Sequence, residues 1–165
     1  MNMSGTMRLT TPNDREIVVT RTFDAPRRLV FDAMTQPELV KRWLYGPEEW
    51  PIVECEIDLK VGGRIRYAWR HTSGKDMSLN GTFREILPPE RIVHTELFDE
   101  DWTGGETQVT TVLTEQRGRT TMTMTVLYSS KEARDQALAT PMEQGMAQSY
   151  DRLEQLLESK LEQRA

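Results

Sequence analysis

Between residues 52 and 127 six β-type runs follow one another, with no gap long enough for a crossover helix. The runs are "IVECEIDL", "RIRYAWRH", "MSLNGTFREIL", "RIVHTELF", "TQVTTVLTEQ" and "TTMTMTVLYS". Between them lie "KVGG", "TSGKD", "PPE", "DEDWTGGE" and "RGR". Parallel neighbours need a connection of about a dozen residues or more, so turns this short predict an antiparallel meander. Ile65, Tyr67 and Trp69 alternate with Arg64, Arg66, Ala68 and Arg70, and Val53, Cys55 and Ile57 alternate with Glu54, Glu56 and Asp58. A period of two puts the two sets on opposite faces of a sheet. The charged face reads as solvent cover, with Glu54, Glu56 and Asp58 in cross-strand ion pairs to Arg64, Arg66 and Arg70. The other face is dry and needs something to cover it.

The flanks supply the cover. "REIVVTRTFD", residues 15–24, reads as a first strand rich in β-branched residues. A helix follows over "RRLVFDAM", with Asp24 as its cap and Pro26 in the first turn. "TQPELVKRWL" forms a second short helix, and "YGPEEWP" breaks it. From about 130 to 163 the chain reads as helical, opening on a Ser cap and Glu132 and interrupted at Pro141. Met142, Met146, Ser149 or Tyr150, Leu153, Leu156 or Leu157 and Leu161 mark an apolar stripe at helical spacing. Asp151, Arg152, Glu154, Gln155 and Glu158 fall on the wet side. The expected architecture is α+β: about seven antiparallel strands, two short helices between strands 1 and 2, and a long C-terminal helix over the dry face. Residues 1–14 read as a flexible leader and 15–163 as one domain. The chain of 165 residues is enough for one real core. Sheet edges left exposed keep a homodimer open.

Composition narrows the function. A net charge of -5 and a pI near 5.2 leave no electrostatic footprint for general nucleic-acid binding. No run approaches the ~20 apolar residues of a membrane span, and the N-terminus has no secretory core. The single cysteine, Cys55, excludes an internal disulfide and fits a reducing, cytoplasmic setting. It reads as a small hydrophobe on the dry face. No metal, phosphate-loop or nucleophile-elbow motif is present, so neither a catalytic set nor a cofactor or metal site is expected. "KVGGR" opens a strand rather than a helix and reads as a tight turn with positive φ. Gly81, inside a strand, reads as a bulge or bend.

The segments "FDAPRRLVFDAMTQPELVKRW", "DLKVGGRIRYAWR", "GTFREILPPERIVHT", "TTVLTEQRGRTTMTMTV" and "EARDQALATPMEQGMAQSYDRLEQLL" occur in the order of a known family. The chain resembles the START-like (SRPBCC) superfamily over about residues 15 to 160. Within it the chain is similar to the branch named for the activator of heat-shock-protein-90 ATPase, homologue-1-like. The resemblance implies a helix-grip fold, in which a curved antiparallel sheet wraps a long C-terminal helix around an apolar cavity. The branch name implies a chaperone partner and a stress-response setting, and other superfamily members are polyketide cyclases and aromatases. Two places depart from the family pattern: Gly145-Met146 where a tryptophan commonly follows the glycine, and "RWLYGP" with Trp43 alone. Both fall where the cavity mouth is expected.

Trp43, Tyr67, Trp69, Phe83, Met122, Met124, Met142, Met146 and Tyr150 come from elements that should share one interior. Methionines adapt to varied apolar shapes, and Tyr and Trp add polar handles, so the set is the expected lining of a ligand cavity. His94 sits mid-strand with Ile92 and Glu96 on its side. It joins the set if that side faces the cavity, to position a polar group or to act in acid–base chemistry. His71, at a strand end, is expected to be solvated. Gly145 inside a helix costs ~1 kcal/mol against Ala, which implies room kept for a neighbour or a ligand. The expected function is non-catalytic binding of an unidentified small apolar or amphipathic molecule, as carrier or sensor. The alternatives are a cyclase-like enzyme using His94, Tyr67 and Tyr150, and a co-chaperone.

Overall fold

The structure, a computed structural model, describes residues 6–100 and 104–164. Residues 1–5 of the expected leader and 101–103 of the expected polar loop lie outside them. The elements in chain order are β1 (Met7–Thr10), β2 (Glu16–Phe23), α1 (Arg27–Thr35), α2 (Pro37–Val40), β3 (Ile52–Ile57), β4 (Arg64–Arg70), β5 (Asp76–Leu87), β6 (Arg91–Phe98), β7 (Thr107–Gln116), β8 (Arg119–Leu127), α3 (Lys131–Leu138) and α4 (Met142–Arg164). The strands form one antiparallel sheet in the order β1-β2-β8-β7-β6-β5-β4-β3. The meander from β3 to β8 is therefore as expected, and β2 closes against its last strand. This sheet with a long C-terminal helix is the helix-grip arrangement.

The sheet has eight strands rather than seven. The additional one, β1, falls within the stretch read as leader and pairs Met7 with Arg21 through Thr10 with Val18. It is four residues long, "MRLT", and its alternation of Met7 and Leu9 with Arg8 and Thr10 spans only two apolar positions between polar neighbours, too short a period to announce a strand. It is held by the backbone edge that β2 offers and by Met7 and Leu9, which pack half-buried against the core.

Turn chemistry follows the sequence closely. Gly62 has φ 83°, as the "KVGG" turn requires, and Arg117 and Gly118 have φ 56° and 75° in the β7–β8 hairpin. Two left-handed residues in succession fit the twist of a two-residue hairpin turn. Gly81 keeps register with Ile65 and marks a close backbone approach: a Cβ there would lie 2.0 Å from the Thr95 carbonyl oxygen. The register shift itself falls just beyond, between Phe83 and Glu85.

Some local expectations need correcting. Asp24 does not cap α1; the N-cap is Pro26, with no side-chain hydrogen bond of its own. Instead the Arg27 amide donates to Glu115 Oε1 of β7 at 2.7 Å, a carboxylate at the positive end of the helix. Asp24 pairs with Arg119 at 3.4 Å. On the wet face only Glu54 and Arg66 pair as expected, at 3.6 Å. Arg66 also meets Asp99, Arg70 takes Asp76, and Asp58 takes Lys60. The expected Ser cap on α3 is present, with Ser130 Oγ accepting from the Ala133 amide at 3.0 Å.

Candidate functional site

His94 stands opposite Phe83 on one neighbouring strand and opposite Val109 on the other. Residues directly opposed across strands share a face. Phe83 and Val109 belong to the core that also holds Tyr150, Leu153, Leu156 and Leu157 of α4. Ile92, His94 and Glu96 therefore point toward the helix, and β6 carries two ionisable groups into an apolar interior. His94 Nε2 lies 2.9 Å from Glu96 Oε2, with the side chains 15% and 25% exposed. The Phe83 ring meets the imidazole edge-on, its centroid 6.2 Å away. His94 Nδ1 is buried and has no hydrogen-bond partner among the described residues.

Three buried or partly buried phenols feel the Glu96 carboxylate. Burial pushes the hydroxyl of Tyr67 (β4) up, and the Cys55 thiol and the Glu96 carboxylate push it further. Burial, then Glu96, raises the Tyr128 hydroxyl to about 12. Tyr150 (α4) is raised by burial and Glu96, against a lowering from Arg21. All three stay protonated at neutral pH and can act as donors. The Tyr150 hydroxyl reaches Met124 Sδ at 3.5 Å. The Tyr67 hydroxyl makes no hydrogen bond among the described residues, while its ring packs edge-on against Trp69 at 6.0 Å.

The ten residues singled out from sequence do converge on this interior. Trp43, Tyr67, Trp69, Phe83, Met122 and Tyr150 are buried in one core cluster, and Met124, Met142 and Met146 pack against it half-buried. The indoles are fully used: Trp43 Nε1 donates to the Ala33 carbonyl at 2.9 Å and Trp69 Nε1 to the Leu44 carbonyl at 2.8 Å. Trp43 stacks on Tyr150 at 5.9 Å. Gly145 meets the backbone of Gly46 rather than a side chain, with a Cβ on Gly46 only 3.0 Å from Gly145 Cα. The room it keeps is for the loop after α2. His71 lies outside the group, half-buried with its ring 4.9 Å from Trp50 and Nδ1 beside Ser73 Oγ.

Sequence reasoning missed how α4 is held. Arg21 on β2 is fully buried on the dry face, and its guanidinium reaches Asp151 Oδ1 at 2.9 Å and Glu154 Oε2 at 3.4 Å. Arg152 lies 3.8 Å over the Tyr45 ring and donates to the Tyr45 and Gly46 carbonyls. Ser149 Oγ donates to the Trp43 carbonyl at 2.8 Å. Three residues assigned to the wet side of α4, Asp151, Arg152 and Glu154, are thus its anchors. Parity in "EIVVTRTF" puts Arg21 among Ile17, Val19 and Phe23, which was the available signal. Among the described residues every side-chain hydrogen bond or ion pair from α4 to another element begins at Ser149 or beyond. The first turns, with Met142 and Met146, are held by packing alone.

Two surface pockets lie elsewhere. One, of about 350 Å3, opens on the opposite face of the sheet beside Arg84, Thr95 and Gln108. The other, of about 290 Å3, lies between Arg42, Tyr45, Arg152 and Gln155. Among the described residues no group of three or more His, Cys, Asp or Glu side chains is placed to hold a metal ion. No helix there is long and apolar enough to cross a membrane.

The sequence profile of the activator of Hsp90 ATPase homolog 1-like family matches residues 24–158. The chain belongs to this family. Solved structures agree with that assignment. A crystal structure of a Rhodobacter sphaeroides protein is 34% identical and superposes with a TM-score of 0.88, covering 93% of this chain and 98% of its own. A Staphylococcus epidermidis protein solved by NMR is 28% identical, with a TM-score of 0.79 and coverage of 93% and 95%. An AHSA1-like protein from Aeromonas hydrophila is 20% identical, with a TM-score of 0.67 and coverage of 86% and 93%, and supports the fold alone. None of the curated proteins is similar to this chain. The family description gives this Hsp90-activator-like chain a scaffold and not a ligand, because sites are built on folds rather than implied by them.

Proposed function

We propose that this protein binds one small apolar or amphipathic molecule between the dry face of the sheet and α4, as a non-catalytic carrier or sensor. The observation that carries this reading is the seam at the start of α4. Met142 and Met146 in the first turns of the helix are half-buried against the core, and Met124 on β8, which meets the Tyr150 hydroxyl, is half-buried against the same core. Side chains fill the space, so a ligand is admitted by displacing methionines. Met is unbranched and soft, and the helix turns that carry two of the three have no polar anchor. A buried Cys55 with its thiol pushed up to about 11 fits a reduced, cytoplasmic protein. A chaperone-directed role has the family description in its favour, and catalysis through His94 the His94–Glu96 pair.

Thermal unfolding against a panel of fatty alcohols, sterols and aromatic compounds tests the reading. A ligand at 100-fold its dissociation constant adds ~2.7 kcal/mol, which raises the midpoint by roughly 5–10 °C in a domain of this size. Met124→Ile with Met146→Ile should weaken that shift, because branched side chains do not fold aside. A panel that leaves the midpoint unmoved throughout would remove the reading.

A further inference from the structure

Two arginines share one pocket outside α4, and no acid shares it with them. The pocket, of about 290 Å3, is lined by Arg42, Tyr45, Arg152, Gln155 and Leu156. In a chain with a net charge of -5, two unmatched cations at one site run against the overall balance. Arg42 is exposed and has no hydrogen bond or ion pair among the described residues. Glu38, four residues before it, does not pair with it there. On α4 the positions three and four residues from Arg152 hold Gln148, Ser149, Gln155 and Leu156, none of them acidic. The nearer acids, Asp151 and Glu154, are turned to Arg21.

Arg152 is also aimed. Its guanidinium lies 3.8 Å over the Tyr45 ring, and Nη1 donates to the Tyr45 carbonyl at 2.6 Å and the Gly46 carbonyl at 2.7 Å. Those two bonds use both hydrogens on Nη1. The Nε–H and Nη2 edge has no acceptor among the described residues, and it is the edge that takes an oxyanion side-on. One such edge satisfies the two oxygens of a carboxylate, which leaves Arg42, the Gln155 amide and the Tyr45 hydroxyl in surplus. A phosphate monoester has three terminal oxygens and close to two negative charges at neutral pH, which matches two guanidinium groups and an amide. Leu156 and the Tyr45 ring add an apolar side. The volume lies near the lower limit of small-molecule sites, roughly 300 Å3, so the organic part is small.

We propose that this pocket binds a small phosphate monoester, its phosphate between Arg42 and the Nε–Nη2 edge of Arg152 and its organic part beside Tyr45 and Leu156. The site lies outside the interior proposed for the apolar ligand and does not depend on it.

Phenyl phosphate, inorganic phosphate and benzoate, titrated calorimetrically into the intact protein at low salt, test the assignment. Phenyl phosphate should bind tightest, and its affinity should fall as salt is raised. Arg42→Gln removes an exposed side chain without a partner, so the fold is kept, and it should weaken phenyl phosphate by about fivefold. Arg84→Gln removes an exposed arginine beside the other pocket and should leave the affinity unchanged, which controls for net charge. No binding of phenyl phosphate, or equal losses in the two variants, would overturn the site. Benzoate binding as tightly would overturn the phosphate, and inorganic phosphate binding as tightly would overturn the ester.

Discussion

Gly46 and Gly145 face each other across a gap that is tight in one direction only. A Cβ on Gly46 would sit 3.0 Å from Gly145 Cα, whereas a Cβ on Gly145 would meet Gly46 Cα at 3.8 Å, an ordinary contact. Gly145 also lies inside a helix, where Ala is preferred by ~1 kcal/mol. Gly145→Ala should therefore leave stability unchanged or raise it by up to about that amount, and Gly46→Ala should lower it; urea unfolding of the two variants reads the asymmetry. Cys55 makes a pH prediction. Burial raises its thiol from 9.0 to about 11, against a lowering by Lys41. Between those values the folded chain keeps a proton that the unfolded chain has lost. The stabilisation is whole below pH 9 and is lost as pH rises toward 11. Cys55→Ala should flatten the fall in stability between pH 8.5 and 10, measured against the unaltered protein. The inward side of Cys55 was legible from the alternation of "VECEID". The contact of Gly145 was not, because its partner lies in a loop about a hundred residues earlier and glycine carries no pattern.

Strand parity told most of what the elements do, and long-range polar contacts told the rest. The faces of β4 follow directly from alternation; on β6 alternation groups His94 with Ile92 and Glu96, and only the pairing with Phe83 and Val109 shows that this side faces inward. The cap of α1 could not be read locally, since its acceptor, Glu115, is 88 residues away. The same holds for Arg21, whose hydrogen-bond partner Glu154 is 133 residues distant. A single helical wheel assigns Glu154 to solvent because it cannot see the buried guanidinium across from it. That pairing carries the prediction for this scale. Asp151→Ala with Glu154→Ala strands a fully buried arginine and should cost about 3–5 kcal/mol. Adding Arg21→Met should recover most of the loss, since an apolar replacement removes the orphaned charge rather than the packing. Equal losses in the double and triple variants would mean the anchors act through side-chain volume alone.

At the scale of the whole molecule, the family's scaffold was legible because its constraints repeat along the chain: short turns, period-two strands and one apolar helix stripe. The site was legible only in outline. The lining set was visible as residue types on inward positions, yet whether those side chains enclose space or fill it depends on packing that no periodicity encodes. Packing closes the interior around Trp43, Phe83 and Tyr150 and leaves methionines at its seam. The polar anchors hold α4 from Ser149 onward, so the helix is fixed at one end of the grip and free to yield at the other. Under the proposed function, a ligand enters at the end that side-chain polar contacts leave unheld.

The most direct test is native mass spectrometry of the purified protein, first under gentle and then under denaturing conditions. A small molecule that travels with the folded chain and is lost on denaturation is the predicted result, and its mass identifies the class of cargo. An apo mass that stays unchanged when the fatty alcohols, sterols and aromatic compounds are added in excess would contradict the account. The interior would then be a core and nothing more.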